Sequence, residues 1–252
     1  MNRTTIHHVS RITLILVSIG GLVLPLSGDI NLEFRPSIQT GEVAGTVEVV
    51  LYAVSDNPEE NQFFSAMDVI LAWDPDYLEL LDDVPCSGCP TWLYAGFSDD
   101  PYGINETFPP QDGDGILTIL APLGAPVAAT PEGTPIRILQ FNCLALTNET
   151  PISFLETAGS PEGRTAVFDG DVPGLDVTGL LGDPVHVEII CQLCPGDLIH
   201  NGMVDIADLA QLLAHYGTPS GALPSEGDMD CDGDIRLDDL AALLAEYGTV
   251  CD

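Results

Sequence analysis

The chain has 252 residues, no lysine, and 39 acidic side chains against 6 arginines, for a formal net charge of −33. A surface of this sign repels nucleic acid and anionic membranes, which removes both as partners. Hydrophobic residues make up 45% of the chain, so the acidity belongs to a folded protein rather than to a disordered acidic tail. It fits a saline habitat or plain solubility, and the sequence leaves both open.

Residues 1–28 carry Arg3 and Arg11 but no acid, followed by an apolar run from Ile12 to about Ser27. A positive start before an apolar stretch of this length predicts a secretory signal peptide, with an uncleaved anchor as the alternative. Gly20, Gly21 and Pro25 interrupt the run, so no stable membrane span is expected. The mature protein is expected outside the cell or at its surface. Removal of Arg3 and Arg11 takes its charge from −33 to −35.

Residues 29–190 read as strands and turns. Strands are predicted over 32–36, 46–54, 66–73, 77–81, 115–120, 136–146, 152–155, 165–168 and 185–190. Val47, Val49, Leu51 and Ala53 show the alternation of a half-buried strand. Pro, Gly, Asp and Asn fill the gaps, as in Asp112-Gly113-Asp114-Gly115, and no segment keeps a helical period. Many short strands at this spacing predict a mainly β fold, a sandwich or jelly roll. The stretch from Met67 to Leu80, with Trp73-Asp74-Pro75 at its turn, resembles the cohesin and carbohydrate-binding sandwich group. Thr134 to Phe141 and Thr165 to Gly170 fit later strands of that fold. The resemblance implies a sandwich that binds a protein or a polysaccharide. Trp73, Trp92 and Tyr94 are candidates for a sugar-binding platform, against the plainer fate of core packing.

Seven cysteines stand at 86, 89, 143, 191, 194, 231 and 251. After export they are expected to be oxidised. Two C-x-x-C pairs, Cys86/Cys89 and Cys191/Cys194, also admit one zinc ion if they meet in space. Cys143 lies in an apolar strand and is expected to be the odd, buried thiol. The last four cluster in one small unit that two bridges would staple, Cys194 with Cys231 being one pairing among several.

Residues 191–252 contain one pattern written twice at an offset of 31 residues. The copies begin at Asp197 and Asp228. Each has oxygen-bearing residues at alternate positions, a glycine at position six (Gly202, Gly233) and an acid at position twelve (Asp208, Asp239). This is the spacing of the EF-hand calcium loop, in which the glycine permits the turn that wraps the ligands around one ion. The predicted ligands are Asp197, Asn201, Asp205 and Asp208 with the Met203 carbonyl in loop 1. In loop 2 they are Asp228, Asp230, Asp232 and Asp239 with the Asp234 carbonyl. Position three of loop 1 is Ile199, so loop 2 is expected to bind calcium more tightly. Position nine of loop 2 is Arg236, where a ligand comes through water or is missing. The plainer reading, an acidic turn between two helices, has against it two copies with both glycines and both terminal acids in place.

One helix should follow each loop, with Leu209, Leu212, Leu213 and Tyr216, and likewise Leu240, Leu243, Leu244 and Tyr247, at helical spacing. Gly217 and Gly248 are expected C-terminal caps. Pro195 and Pro224 make an entering helix unexpected before either loop. A duplicated loop with only the exiting helix resembles the dockerin family. That resemblance covers about residues 195–250 and implies a calcium-dependent module that shows a helix face to a cohesin-type partner. In cellulosomal dockerins loop positions ten and eleven are commonly Ser-Thr; here they are Ile206-Ala207 and Leu237-Asp238.

The expected protein is therefore secreted and non-catalytic, with an assembly or adhesion role in an extracellular polysaccharide-associated complex. Its parts would be a signal (1–28), a cohesin-like sandwich (29–190) and a dockerin-like module (191–252). A carbohydrate-binding protein and a component that hydrolyses glycan remain alternatives. No carboxylate stands out as catalytic, and neither a G-x-S-x-G nor an H-E-x-x-H motif is present.

Overall fold

The computed structural model describes residues 29–97, 100–106, 110–170 and 174–251. The expected signal peptide lies outside them. Fifteen strands follow in chain order: β1 (Ile30–Arg35), β2 (Ile38–Glu42), β3 (Thr46–Ser55), β4 (Gln62–Ala72), β5 (Leu78–Val84), β6 (Tyr94–Phe97), β7 (Asp114–Leu120) and β8 (Val127–Ala129). Then come β9 (Thr134–Cys143), β10 (Thr147–Leu155), β11 (Thr157–Ala158), β12 (Gly163–Arg164), β13 (Ala166–Asp169), β14 (Thr178–Leu181) and β15 (Val185–Ile190). Two helices close the chain, α1 (Ile206–His215) and α2 (Leu237–Glu246).

Strands β11 and β12 pair only with each other, and the other thirteen form two facing sheets. One has the order β14-β1-β3-β9-β5, the other β2-β15-β10-β4-β7-β6, with β13 and β8 also on β4. Most neighbours are antiparallel, but β1 runs parallel to β14 and β2 parallel to β15, so the first strands are closed by the last. In β3 Val54 and Ser55 are buried at the end of the strand, and Val47, Val49, Leu51 and Ala53 are buried along it as the predicted inward face. They meet Phe64, Met67, Val69 and Leu71 of β4 and Leu117 and Ile119 of β7 in one continuous core. Burying such side chains is the main drive for sandwich formation.

Buried Thr165 stitches the point where β4 changes partners. Its Oγ1 accepts from the Ile70 N–H at 2.9 Å and donates to the Leu155 carbonyl at 2.6 Å. On one side of it β10 pairs with β4, on the other β13 does.

Several strands escaped the sequence reading: β2, β6, β8, β14 and the short β11/β12 pair. In β2 the sequence is Ile-Gln-Thr-Gly-Glu, too polar to stand out. Its Gly41 is required by close packing, since a Cβ there would sit 2.5 Å from Cys143 Sγ and 2.7 Å from a Val47 methyl. The predicted end of the long strand at 146 also moves: β9 stops at Cys143, and Leu144 donates to the Tyr77 carbonyl at 2.8 Å.

The aromatic platform is corrected. Trp73 is 6% exposed and lies edge-on to Phe141 at 5.4 Å, inside the core. Trp92 is half-buried over Phe64 and donates its Nε1–H to the Ile136 carbonyl at 3.2 Å. Tyr94 alone of the three shows substantial surface, so no shared flat face is formed.

The cysteines form three disulfides: Cys86–Cys89, Cys191–Cys231 and Cys194–Cys251. The pairing of Cys194 with Cys231 is thereby corrected, as is the four-thiolate zinc site, because the C-x-x-C pairs never meet as thiolates. Cys143 is the free, buried thiol, its pKa pushed up to about 11 by burial.

Candidate functional site

The candidate site is the pair of loops ahead of α1 and α2. Each is built by its own side chains. In loop 1 the Asp197 carboxylate accepts from the N–H groups of Asn201 and Gly202, both at 2.9 Å. In loop 2 Asp228 does the same for Asp232 at 3.2 Å and Gly233 at 2.9 Å. Position five caps position seven in both: Met203 N–H to Asn201 Oδ1 at 3.0 Å, Asp234 N–H to Asp232 Oδ1 at 2.9 Å. Position four is left-handed in each (His200 φ 53°, Cys231 φ 56°), and so is the glycine at six (90° and 87°). A β-carbon is costly at the latter, which is why glycine recurs there.

The acids at position twelve are the pivots. Asp208 Oδ2 accepts from Asp205 N–H at 2.8 Å, and Asp239 Oδ2 from Arg236 N–H at 2.7 Å, so each also closes the first turn of its helix. Asp205 is the N-cap of α1 and accepts from Ala207 N–H at 2.7 Å. Arg236 cannot accept such a bond, and its guanidinium instead pairs with Asp234 at 2.7 Å. The loops differ at further bonds, Asp230 Oδ1 also accepting from Asp232 N–H at 3.2 Å in loop 2, where loop 1 has Ile199. The other oxygen of position twelve takes the N–H of position three in loop 1 (Ile199, 3.1 Å) but of position two in loop 2 (Met229, 2.8 Å).

The same 31-residue offset runs through the packing. Leu198 and Met229, Val204 and Ile235, and Leu212 and Leu243 are buried in one small core. Position eight of each loop pairs with the chain leaving the opposite helix. Val204 donates to Thr249 O at 2.9 Å and accepts from Gly248 at 2.8 Å; Ile235 donates to Thr218 O at 3.0 Å and accepts from Gly217 at 2.8 Å. Gly217 and Gly248 are left-handed just past their helices, but the C-caps are Tyr216 and Tyr247, and both glycine N–H groups go to the opposite loop instead of back to the helix. The unexpected piece is a single 3-10 turn, Pro224–Glu226, ahead of loop 2. The predicted helix faces are also split. Leu212 and Leu243 are buried, whereas Leu213, Tyr216, Leu244 and Tyr247 are each about half exposed.

The charge is concentrated in loop 2. Carboxylate oxygens of Asp228, Asp230 and Asp232 lie within 4.8 Å of one another, while Asp228 and Asp239 are each 2% exposed. Burial pushes the Asp228 carboxyl above its ordinary range, and the charges of Asp239 and Asp230 add to this against the Gly233 and Asp232 N–H bonds. Burial likewise raises Asp234, opposed by Arg236. Asp230 and Asp232 are exposed, but the charges of buried Asp228 and Asp239 beside them are costly unless a cation joins them, and hard oxygen donors at this spacing suit a divalent one. Loop 1 offers fewer charges: Ile199 is at the surface and Asn201 is neutral, leaving Asp197, Asp205 and Asp208.

Of the other histidines among the described residues, His186 meets Glu149 at 2.5 Å and His215 meets Glu226 at 3.5 Å, both at the surface. No helix among the described residues is long and apolar enough to cross a membrane.

No family model matches the chain, and no curated protein does. Several solved structures align with it. One is a cohesin module from a Clostridium perfringens family 33 glycoside hydrolase, 12% identical with a TM-score of 0.45, covering 64% of this chain and 97% of the module. CaCohA2 from Clostridium acetobutylicum aligns at 11% identity and a TM-score of 0.47, over 65% of this chain and 92% of its own. The seventh ScaB type I cohesin from Pseudobacteroides cellulosolvens gives 13% and 0.47, over 65% and 93%.

Proposed function

We propose that residues 191–252 form a calcium-ordered, dockerin-like docking module, carried by a secreted, non-catalytic assembly or adhesion protein. The observation that carries this reading is the repetition of one loop architecture at an offset of 31 residues, with the acid at position one accepting the N–H groups of positions five and six in both loops. Two divalent ions would be held by Asp197, Asn201, Asp205, Asp208 and the Met203 carbonyl in loop 1, and by Asp228, Asp230, Asp232, Asp239 and the Asp234 carbonyl in loop 2. Calcium supplies the positive charge that lets these carboxylates sit together, so its binding and the ordering of the module are one process.

Docking falls to the helix faces. Ile206, Leu213 and Tyr216 of the first repeat, and Leu237, Leu244 and Tyr247 of the second, stand 47–68% exposed. The first stripe carries no exposed carboxylate, whereas the second is flanked by exposed Asp238 and Glu246. In a chain of this acidity an uncharged apolar stripe suits another protein, and we assign α1 as the preferred face for a cohesin-type partner.

A calorimetric calcium titration of the full chain tests the reading. Two sites of unequal affinity are expected, the tighter lost in Asp228→Ala and Asp239→Ala and the weaker in Asp197→Ala. At a hundredfold excess over Kd, calcium should stabilise the module by about 2.7 kcal/mol. No heat, together with a melting profile that chelator leaves unchanged, would sink the calcium reading.

A further inference from the structure

Each candidate calcium loop leans on a disulfide at the residue that begins its ligand set. In loop 2, Cys231 itself occupies position four and is bonded to Cys191, whose Sγ lies 3.6 Å from the Asp228 carbonyl oxygen. In loop 1, a carboxylate oxygen of Asp197 and the sulfurs of Cys194 and Cys251 all lie within 4.8 Å of one another. Cys191 directly follows β15, so the first bridge hangs loop 2 on the last strand of the sandwich. The Leu193 N–H adds a bond to Glu42 Oε1 at 2.6 Å. Cys194–Cys251 ties the entry of loop 1 to the segment after α2, where the Cys251 N–H donates to the Gly202 carbonyl at 3.0 Å. All four cysteines are half-buried, within reach of a small thiol.

We infer that these two disulfides make calcium affinity sensitive to thiols: a reducing dithiol opens them and weakens both sites. The inference rests on the calcium reading above. One thiolate of the dithiol attacks a bridge sulfur, the S–S bond breaks, and a mixed disulfide forms. The second thiol then displaces it. The chain gains two electrons and two protons as two thiols, and the reductant leaves as its own disulfide. Bridges closing segments of 40 and 57 residues restrict the disordered ensemble. Without them the loop must be ordered by calcium alone, and the ordering cost is subtracted from binding.

The test is a calcium titration of the full chain in oxidised form, after dithiothreitol, and in paired serine variants. Cys191→Ser with Cys231→Ser should weaken the tighter site at least about tenfold, and Cys194→Ser with Cys251→Ser the weaker one. Cys86→Ser with Cys89→Ser, in the sandwich, should leave both unchanged. Trp73 and Trp92, the two tryptophans, report whether the sandwich stays folded. Should a variant lose its sandwich signal, reduction and reoxidation of the unmodified chain decide, with affinity expected to fall and return. Unchanged affinity after complete reduction overturns this inference and leaves the calcium reading standing. Absence of calcium heat in the oxidised chain overturns the calcium reading, and this inference with it.

Discussion

The sandwich and the C-terminal repeat are stabilised by different means. The sandwich buries one core of twenty-eight apolar residues among those described, drawn from both sheets, and carries a single short-range disulfide. The repeat buries seven, and two long-range disulfides cross it. Its buried acids, Asp197, Asp208, Asp228, Asp234 and Asp239, occupy space that a larger domain would fill with hydrocarbon. The difference teaches that a unit of about sixty residues turns to covalent closure where core area falls short, with the proposed ion binding as its complement. It also locates sensitivity to solution conditions in the small unit.

The largest effect expected from breaking this division lies in the sandwich. Phe141→Ala removes a fully buried ring that touches Trp73, and should cost about 3–5 kcal/mol. A melt followed by tryptophan fluorescence should fall steeply while the calcium heats of the repeat persist. Loss of both together would mean that the two units fold as one.

Next comes a pair of neighbours in α1. Leu212→Ala should destabilise the repeat by about 2–5 kcal/mol, and Leu213→Ala by no more than about 0.5 kcal/mol, because only the first is buried. Far-UV circular dichroism during chelator-controlled melting separates them. Equal costs would show the exposed stripe to be covered in solution.

The smallest effect concerns acid. Burial pushes the Asp100 carboxyl up, but N–H bonds from Asn105 at 2.7 Å, Ile104 at 3.3 Å and Tyr102 at 2.8 Å outweigh it, leaving the group below its ordinary value of 3.8. A carboxyl that is more acidic in the folded state stabilises the fold above that value, and the contribution is lost as pH falls from it through the lower folded-state one. Asp100→Asn should therefore flatten the acid limb of the sandwich's stability by less than about 1 kcal/mol, read from melts between about pH 5 and pH 3. The acid response of the repeat should be unmoved by it.

The alternation in β3, the span of β15 and the loop-and-helix repeat were legible in the sequence because each depends on local geometry: a two-residue pleat, a turn that needs glycine, a helix that needs a cap. The turn of both loops follows for the same reason, since neighbouring residues bond to Asp197 and Asp228 across four or five positions. Cys143 as the odd thiol was also readable, from the apolar strand around it. Other features were decided only when distant segments met. The edge strand β2 exists because β15 pairs with it and Gly41 clears Cys143. Trp73 became core because Phe141 lies across from it, and Leu212 was buried while Leu213 was left out because the second repeat packs on one side of α1. The choice of Cys231 for Cys191, and of Cys251 for Cys194, follows from the placing of the repeat against the end of β15. Spacing along the chain carries no record of such contacts, because they join residues that only the packed core brings together.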